Sequence, residues 1–443
     1  MDLTIQIFFD GQWHDSAVVS IAAPEKGYEG ASSVSYDLEY FAQYGSIPFA
    51  EGVPVRDLRA YSVAAPIDLE DRTVDTWPAF LLDFVPQGRQ AERLAKFLDM
   101  PADAPSTQIH LLRRSAGSPV GNIRIKEAHD LEVERLKKTA RMGVSMEDIL
   151  QRTDAFLEVA DRFSMLASGS SGLQGDWPKV ALTKARDGLW YPDPMVEDDD
   201  AVDHIIAKLL RSDEGVDQRI LEAEAGYSKV AQEFGLNVER TSEYGNGVLV
   251  IPRFDRKVTA NGLVRYGQES LVSAIGIAEF GYIGRHERYI QKIQEVSSDP
   301  LKDTVEYLLR EVLNLAMGNP DNHGRNTALR KSVDGKVRLS PLFDFTAMKL
   351  AAAGIIRSTK WDGMEKRGLE TNPDWREVCE TVAGNLPVEA IFEAIAEKEE
   401  QLRALPEIAK KHGVPESVIA HAIVRNNEMA DGVAKLRSAP AQK

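Results

Sequence analysis

Hydrophobic and polar positions are spaced differently in the two parts of this chain. In the first part, short apolar runs at residues 5–9 and 13–21 flank Asp10 and Gly11, an arrangement typical of a β-hairpin. Beyond Gly267, apolar residues recur mainly at intervals of three and four, which is the period of an amphipathic helix. The pattern therefore predicts a β-rich first part and a helical second part.

Individual elements can be predicted from the same runs. Their ends are marked largely by proline, which cannot continue a helix, and by glycine, which permits turns. Strands are predicted at 109–112, 121–125, 204–210 and 247–256, and helices at 78–85, from 90 onward, 131–166, 220–234, 268–280, 285–296, 300–317, 374–384, 388–403, 405–412 and 415–436. This order of elements indicates an α+β protein.

Length and charge narrow the class of protein. A chain of 443 residues is too long for one compact core and suggests two or three domains or lobes. The formal net charge of -16 argues against broad, direct binding to nucleic acid. Cys379 is the one cysteine in the sequence, which fits a reducing cytosol. The first residues lack a secretory leader pattern and no apolar run is long enough for a membrane helix, so we expect a cytoplasmic protein without a membrane partner.

The strongest chemical signal is an aspartate, an asparagine and a second aspartate in a fixed order: Asp321, Asn326 and Asp344. Protein kinases place a catalytic aspartate and two metal-holding residues in this order. Asp321 could accept a hydroxyl proton, while Asn326 and Asp344 offer the hard oxygen ligands that Mg²⁺ prefers. Taken alone, residues 319–324 are also ordinary turn chemistry.

A second candidate site is rich in small residues. Residues 168–175 contain three serines and three glycines before Lys179, and small residues let backbone N–H groups approach phosphate oxygens. A flexible linker explains the glycines equally well. The spacing is not that of a Walker motif, because no Gly-Lys-Ser or Gly-Lys-Thr opens a helix.

Lys208 stands inside an apolar strand, where a lone buried charge would be costly and needs a partner. The following helix offers Glu222 and Glu224 as partners. Further on, Pro252 lies where a hinge between two lobes is expected. Because proline has no N–H, an adenine ring could receive a donor only from a neighbour such as Phe254.

Short segments of the sequence follow one another in the order of a known set of motifs. They are FLLDFVPQG (80–88), GNIRI (121–125), GDWPK (175–179), IAK (206–208), RFDR (253–256), NPDNHGRN (319–326) and PLFD (341–344). In these segments the chain resembles the HipA family, the serine/threonine kinase toxins of bacterial toxin–antitoxin pairs. The resemblance implies an α+β, two-lobed, protein-kinase-like fold. It further implies an N-terminal subdomain at 1–130, the remainder of a β-rich N-terminal lobe at 131–256, and an all-helical C-terminal lobe at 257–443.

The resemblance also implies roles for single residues. Asp321 would orient the acceptor hydroxyl, Asn326 and Asp344 would bind Mg²⁺, and His323 and Arg325 would flank the transferring phosphate. The family more often has lysine where Arg325 stands, and arginine keeps the charge but changes its geometry. The residues implied in ATP binding are Lys208, held by Glu224, the phosphate-loop residues Gly172, Gly175 and Lys179, and Pro252 and Phe254 beside the adenine.

One departure concerns self-regulation. In the founding toxins a serine of the phosphate loop is autophosphorylated, which switches the kinase off. Alignment of Gly175 and Lys179 places Gly172 at that position, with Ser170 and Ser171 just before it. We therefore consider Ser171 first, and Ser170 second, as candidates for autophosphorylation.

The family implies an ATP- and Mg²⁺-dependent protein kinase, with an aminoacyl-tRNA synthetase as a possible target, growth arrest as the outcome and a small HipB-like DNA-binding antitoxin as partner. Two alternatives stay open, of which the first is a lipid or small-molecule kinase of related fold. Phosphatidylinositol kinases share an Asp-His-Asn cluster, although no basic membrane-facing stretch is evident here. An ATP-binding pseudokinase acting as a corepressor is the other, and the intact Lys208, Asp321, Asn326 and Asp344 argue against it.

Overall fold

The chain starts with an antiparallel hairpin whose turn consists of two left-handed residues. The computed structural model describes residues 1–167, 177–212, 214–351 and 354–437. In it, β1 (Asp2–Phe9) pairs with β2 (Gln12–Ile21). Asp10 and Gly11 have φ angles of 51° and 78°, as a type I′ turn requires. The predicted hairpin is confirmed.

The hairpin is the centre of a mixed sheet-and-helix subdomain. The elements that follow are β3 (Ser32–Tyr36), α1 (Leu38–Tyr44), α2 (Ser46–Ala50), β4 (Arg72–Val74), α3 (Gly88–Phe97), α4 (Thr107–Ser115), β5 (Ile123–Ile125), α5 (Lys126–Leu136), α6 (Met146–Gln151) and α7 (Asp154–Ala167). The strand order is β4-β3-β2-β1-β5. Leu3, Ile5 and Ile7 alternate along β1 and are fully buried, because successive side chains of a strand point to opposite faces.

Two of the predictions in this region are wrong in type. Residues 109–112, predicted as a strand, lie in α4, because an apolar run of four residues does not distinguish a strand from a buried helix turn. Residues 78–85, predicted as an α-helix, contain the shorter 3₁₀ helix Ala79–Asp83.

A second sheet follows, with strand order β7-β6-β8-β10. The elements of this stretch are β6 (Lys179–Ala185), β7 (Trp190–Pro192), β8 (Ala201–Leu209), α8 (Gly215–Phe234), β9 (Glu243–Gly245), β10 (Val248–Pro252), β11 (Arg256–Thr259), β12 (Gly262–Arg265), β13 (Gly267–Ser270) and α9 (Leu271–Ala274). In the antiparallel pair of β6 and β8, Lys179 lies opposite Lys208. The helix predicted over 268–280 is wrong for most of its length, since only α9 is helical there.

The remainder of the chain is mainly helical. Its elements are β14 (Gly284–Arg285), α10 (His286–Val296), α11 (Pro300–Ala316), β15 (Ala328–Lys331), β16 (Val337–Leu339), β17 (Thr359–Lys360), α12 (Trp375–Val382), α13 (Val388–Ala396), α14 (Glu399–Arg403), α15 (Leu405–Lys411), α16 (Glu416–Ala422) and α17 (Asn426–Ala434). The helices predicted at 285–296 and 300–317 are confirmed, whereas the predicted helices at 388–403 and 415–436 each divide into shorter ones.

The chain is organised as two compact units, each made of several segments. The first consists of Met1–Arg211, Val250–Phe280 and Leu329–Val337, and the second of Ser212–Leu249, Gly281–Ala328 and Arg338–Lys443. The first unit has its core on the face of the hairpin sheet, with Trp77 and Leu82 packed among the strands. In the second unit, α11 contributes fully buried side chains such as Leu308 and Val312. The predicted boundaries at 130 and 256 stay a prediction.

Candidate functional site

One face of helix α11 forms the floor of a polar cavity in the second unit. Asp299 caps the helix, since its carboxylate accepts from the Lys302 N–H at 3.2 Å, and Pro300 occupies the first turn. The cavity is lined from this helix by Tyr307, Arg310, Glu311 and Asn314. These positions recur at three and four residues, so they share one face.

The loop after α11 lies across this floor and is held by asparagine side chains. Asn319 donates its backbone N–H to the carbonyl of Asn314 at 2.8 Å and its side-chain amide to Asn314 Oδ1 at 2.9 Å. Asn319 Oδ1 in turn accepts from the Asp321 N–H at 3.3 Å. Asn326 donates Nδ2–H to the Asp321 carbonyl at 3.1 Å, which closes the loop on itself. The loop therefore has a defined shape built from its own polar groups.

The three residues at the centre of the sequence-based prediction line this one cavity: Asp321, Asn326 and Asp344. The side chain of Asp321 is 29% exposed, so a substrate hydroxyl could reach it. Asp344 has a left-handed φ of 53°, a conformation that aspartate and asparagine tolerate better than most residues. Carboxylate and amide oxygens thus converge at one place in the second unit.

The neighbouring residues of the loop have different positions. His323 Nε2 lies 3.5 Å from Asp321 Oδ1, while Arg325 is buried. Gly324 packs against the ring of Tyr289, and a Cβ at this glycine would lie 2.3 Å from the Tyr289 hydroxyl. Glycine is therefore required for the close approach of the loop to α10.

The donor set of this cavity fits magnesium. Among the described residues there is no preformed group of three His, Cys, Asp or Glu side chains that could hold a metal. Mg²⁺, however, is usually held by one or two carboxylates together with substrate phosphates and water. Asn326 uses its amide nitrogen in the bond to Asp321, so Oδ1 would be its ligand atom, beside the carboxylate of Asp344.

The residues predicted to bind ATP are spread over both units. Gly172, Gly175, Ser170 and Ser171 lie outside the described residues. In the first unit, Lys208 is 2% exposed and its ammonium lies 5.5 Å from the ring centroid of Trp177. Lys179 begins β6 on the adjacent strand.

The other predicted ATP contacts are a helix residue and two residues at the end of β10. Glu224 is buried in α8 of the second unit, and its pairing with Lys208 stays a prediction. Pro252 ends β10 in the first unit, and Phe254 follows it; both are half-buried.

Next to Pro252 and Phe254 lies a buried ionic cluster that sequence reasoning did not foresee. Arg253 donates two hydrogen bonds to Asp255, at 2.8 and 2.6 Å, and Arg256 donates to Asp193 at 2.8 Å. The Gly121 N–H also donates to Asp255, at 2.9 Å. Burial by itself would raise the pKa of the Asp255 and Asp193 carboxyls, but the two guanidiniums outweigh it and hold each pKa well below its ordinary value.

Sequence reasoning also missed a second buried ion pair, below the loop of Asp321. Glu311 of α11 accepts a hydrogen bond from Arg357. Both residues are buried, at 2% and 8% exposure. A charged residue among the buried positions of an amphipathic helix was the available signal, but its partner lies too far along the chain to be identified from the pattern.

No helix among the described ranges is long and apolar enough to span a bilayer.

Family comparison adds to this geometry. The family model of the HipA-like C-terminal domain matches residues 171–404, which is more than half of the chain and includes the loop of Asp321 and the position of Asp344. The chain belongs to the HipA-like family.

A curated protein of Sinorhizobium fredii named "Putative kinase Y4mE" is 32% identical over 132 residues, which cover 28% of this chain and 31% of the relative. The matched region thus spans about a third of the length of that relative.

The solved structure of HipA from Shewanella oneidensis, in complex with HipB and operator DNA, matches 99% of this chain and 100% of its own. The TM-score is 0.65 at 15% identity. A structure of the proinflammatory kinase CtkA of Helicobacter pylori covers 52% of this chain with a TM-score of 0.33 and 12% identity, which is too low to support an argument. The match to HipA establishes the fold, and the predicted α+β HipA-like fold class is confirmed.

Proposed function

We propose that this HipA-like chain is an ATP- and Mg²⁺-dependent kinase that transfers the γ-phosphate to a serine or threonine hydroxyl of a protein. The observation that carries the proposal is that Asp321, Asn326 and Asp344 line a single cavity. Phosphoryl transfer needs little covalent chemistry from a protein, because positioning and charge neutralisation supply most of the rate. A cavity with one reachable aspartate and two oxygen ligands has what that chemistry needs.

Within the second unit, each of these residues has its own task. Asp321 would accept a hydrogen bond from the acceptor hydroxyl and hold it in line with the γ-phosphate. His323, whose Nε2 lies 3.5 Å from Asp321 Oδ1, and Arg325 would flank the transferring group. Asn326 and Asp344 would hold Mg²⁺, which when bound neutralises charge on the phosphate oxygens.

Lys208 would supply the main cationic contact to the nucleotide. It lies in β8, and its ammonium can bind phosphate oxygens as a point charge. We assign it the contact with the α- and β-phosphates, with Glu224 holding it. Lys179, Gly172 and Gly175 would line the phosphate loop, and Pro252 and Phe254 the adenine. Ser171 or Ser170 would be the site of autophosphorylation.

The proposal extends to partners through the family. The related structure from Shewanella oneidensis is a complex of HipA with HipB and operator DNA, which supports a small HipB-like antitoxin as the partner of this chain. An acidic chain with a net charge of -16 would reach DNA through such a partner rather than directly. An aminoacyl-tRNA synthetase as target and growth arrest as outcome complete the proposal.

The test is phosphoryl transfer by the parent protein and by Asp321→Asn. With labelled ATP and host lysate proteins as acceptors, the variant should lose about 10²–10⁴-fold in rate, the usual contribution of an acid–base group. Its affinity for ATP, measured by calorimetry, should stay within about threefold. Asp334→Asn is a matched control, because Asp334 is half-exposed, pairs with Lys336 at 2.6 Å and does not line the cavity.

Equal transfer by Asp321→Asn and the parent would contradict the kinase mechanism. Label found in lipid rather than protein would favour the lipid kinase alternative. ATP binding without any turnover by the parent would favour the pseudokinase.

A further inference from the structure

The floor of the cavity contains a connected set of buried polar groups that the proposed chemistry does not use. Glu311 receives the Arg357 guanidinium, and His286 Nε2 lies 3.5 Å from the same carboxylate oxygen. His286 is fixed on its other side, since Nδ1 lies 2.9 Å from the Tyr307 hydroxyl and its ring stacks on Trp361 at a centroid distance of 4.2 Å. The Glu311 carboxylate is therefore held from several directions.

Glu311 also has contacts in the direction of the catalytic loop. Its side chain hydrogen-bonds to Asn314, which holds Asn319, and to Asn322, the residue that follows Asp321. Burial raises the pKa of Glu311, and Arg357 and the two asparagines counter that rise. The carboxylate thus joins the loop to α11.

Arg357 belongs to the stretch that follows Asp344, and this stretch is joined to the catalytic loop a second time. Thr359 donates its hydroxyl to the Asn322 carbonyl at 2.7 Å and its N–H to Asn322 Oδ1 at 3.3 Å, and it accepts from Asn322 Nδ2 at 3.0 Å. Thr359 and Lys360 form β17, which pairs with β14. Arg357 enters the floor two residues before this clamp. The ion pair and the clamp together determine where residue 322, and hence Asp321, can lie.

A buried ion pair is a weak source of stability, because well-packed apolar side chains of the same volume often do as well or better. Such a pair does fix the relative orientation of the two segments that carry it, since the guanidinium and the carboxylate fit each other in few geometries. The placement of Glu311 beneath the loop is therefore better explained by positioning than by stability alone.

We propose that Glu311 and Arg357 are positioning residues that tie the stretch after Asp344 to the catalytic loop and so hold Asp321 in its transfer geometry. This inference rests on the proposed kinase function for its catalytic consequence. Its structural half, that the ion pair orders residues 321–326 and 359, does not depend on that function.

The experiment uses the double variant Glu311→Gln/Arg357→Met in the full chain. It removes both buried charges at once, so neither is left unpaired, and glutamine keeps an amide that can bond to Asn314 and Asn322. The matched control is Asp303→Asn/Arg338→Met. That pair also joins a buried carboxylate of α11 to an arginine, at 3.0 Å, and it does not line the cavity.

We expect the cavity variant to keep a melting temperature close to that of the control variant. Amide hydrogen exchange in peptides covering residues 321–326 and 359 should be at least about tenfold faster than in the parent. The kcat for phosphoryl transfer should fall by about 10–100-fold with the KM for ATP unchanged, as expected when a catalytic group is displaced by up to about 1 Å. Arg357→Lys keeps the positive charge but not the planar guanidinium, so its kcat should lie between those of the parent and the cavity variant.

Unchanged exchange in the loop of the cavity variant would overturn the inference, whatever the activity. Faster exchange with unchanged kcat would overturn the positioning role. If the parent itself transferred no phosphate while the variant still exchanged faster, the kinase proposal would fail and the tie between the two segments would stand.

Discussion

The buried cluster around Asp255 allows a quantitative prediction for the substitution Asp255→Asn. Asp255 is 2% exposed and is bonded to both nitrogens of the Arg253 fork and to the Gly121 N–H. Asparagine has nearly the same shape but no charge, and one of its two terminal atoms can no longer accept. The substitution therefore leaves Arg253 and Arg256 with Asp193 as their remaining carboxylate in this cluster.

The expected loss of unfolding free energy follows from the burial of this ion pair. Removing one partner of a buried ion pair typically costs about 3–5 kcal/mol, because the remaining charge is left uncompensated away from water. A domain is stable by about 5–15 kcal/mol, so the loss would be a large fraction of the stability of the first unit. With a urea m-value of about 2–3 kcal/mol/M, the unfolding midpoint of that unit should fall by about 1–2.5 M.

Urea unfolding followed by tryptophan fluorescence is the assay, since Trp77, Trp177 and Trp190 lie in the first unit. Asp198→Asn is the matched control. Asp198 also pairs with an arginine, Arg265, but its side chain is 38% exposed, so its loss should cost less than about 1 kcal/mol. If both variants unfolded at the midpoint of the parent, the argument that this cluster holds the fold together by charge would be refuted.

Two further predictions concern acid stability and the loop glycine. Folding lowers the pKa values of Asp193 and Asp255. The stabilisation that these carboxylates provide is therefore complete above their unfolded pKa, near 4, and is progressively lost as the pH falls below that value. The melting temperature of the parent should drop more between pH 5 and pH 3 than that of Asp255→Asn, and equal drops would contradict this. Gly324→Ala should lower the free energy of unfolding by about 1–3 kcal/mol and remove most of the proposed kinase activity, since its Cβ would overlap Tyr289. Tyr289→Ala should restore part of that activity in the double variant, and no recovery would place the defect elsewhere.

Local patterns predicted those elements whose signals lie within a few residues. Asp10 and Gly11 specify the hairpin because their own backbone preferences match a type I′ turn. Helices α10 and α11 were predicted within one or two residues of their ends, since each has a long amphipathic period. The order of Asp321, Asn326 and Asp344 also marked the cavity, because a short loop fixes the first two and the chain returns nearby with the third.

Contacts between distant residues explain what the patterns could not predict. The segment predicted as a helix at 268–280 begins instead as a strand. Ser270, at the end of that strand, donates its N–H and its hydroxyl to the Asp83 carboxylate, at 2.9 and 2.7 Å. Glu311 and Arg357 are 46 positions apart, and nothing near either residue identifies the other. Buried pairs of this kind are specified by the fold and not by local periodicity.

Several segments that carry the family resemblance contain residues that hydrogen-bond one element of the fold to another and have no proposed catalytic role. Asp83, in the segment 80–88, caps α9 through Ser270. Asn122 donates its amide to the carbonyls of Phe8 and Leu58, at 3.1 and 2.9 Å. A resemblance resting on such residues indicates shared architecture, and for this reason the fold could be inferred with more certainty than the substrate.

The left-handed backbone at position 344 limits which residues natural variation can place there. Alanine or glutamate would have to adopt a conformation that costs most L-amino acids about 1–2 kcal/mol, whereas asparagine and glycine would not. Lineages that lose the proposed metal ligand while retaining the architecture should therefore carry glycine at this position, because asparagine would still offer an amide oxygen. A glycine at position 344 would thus mark relatives in which the proposed magnesium site is incomplete.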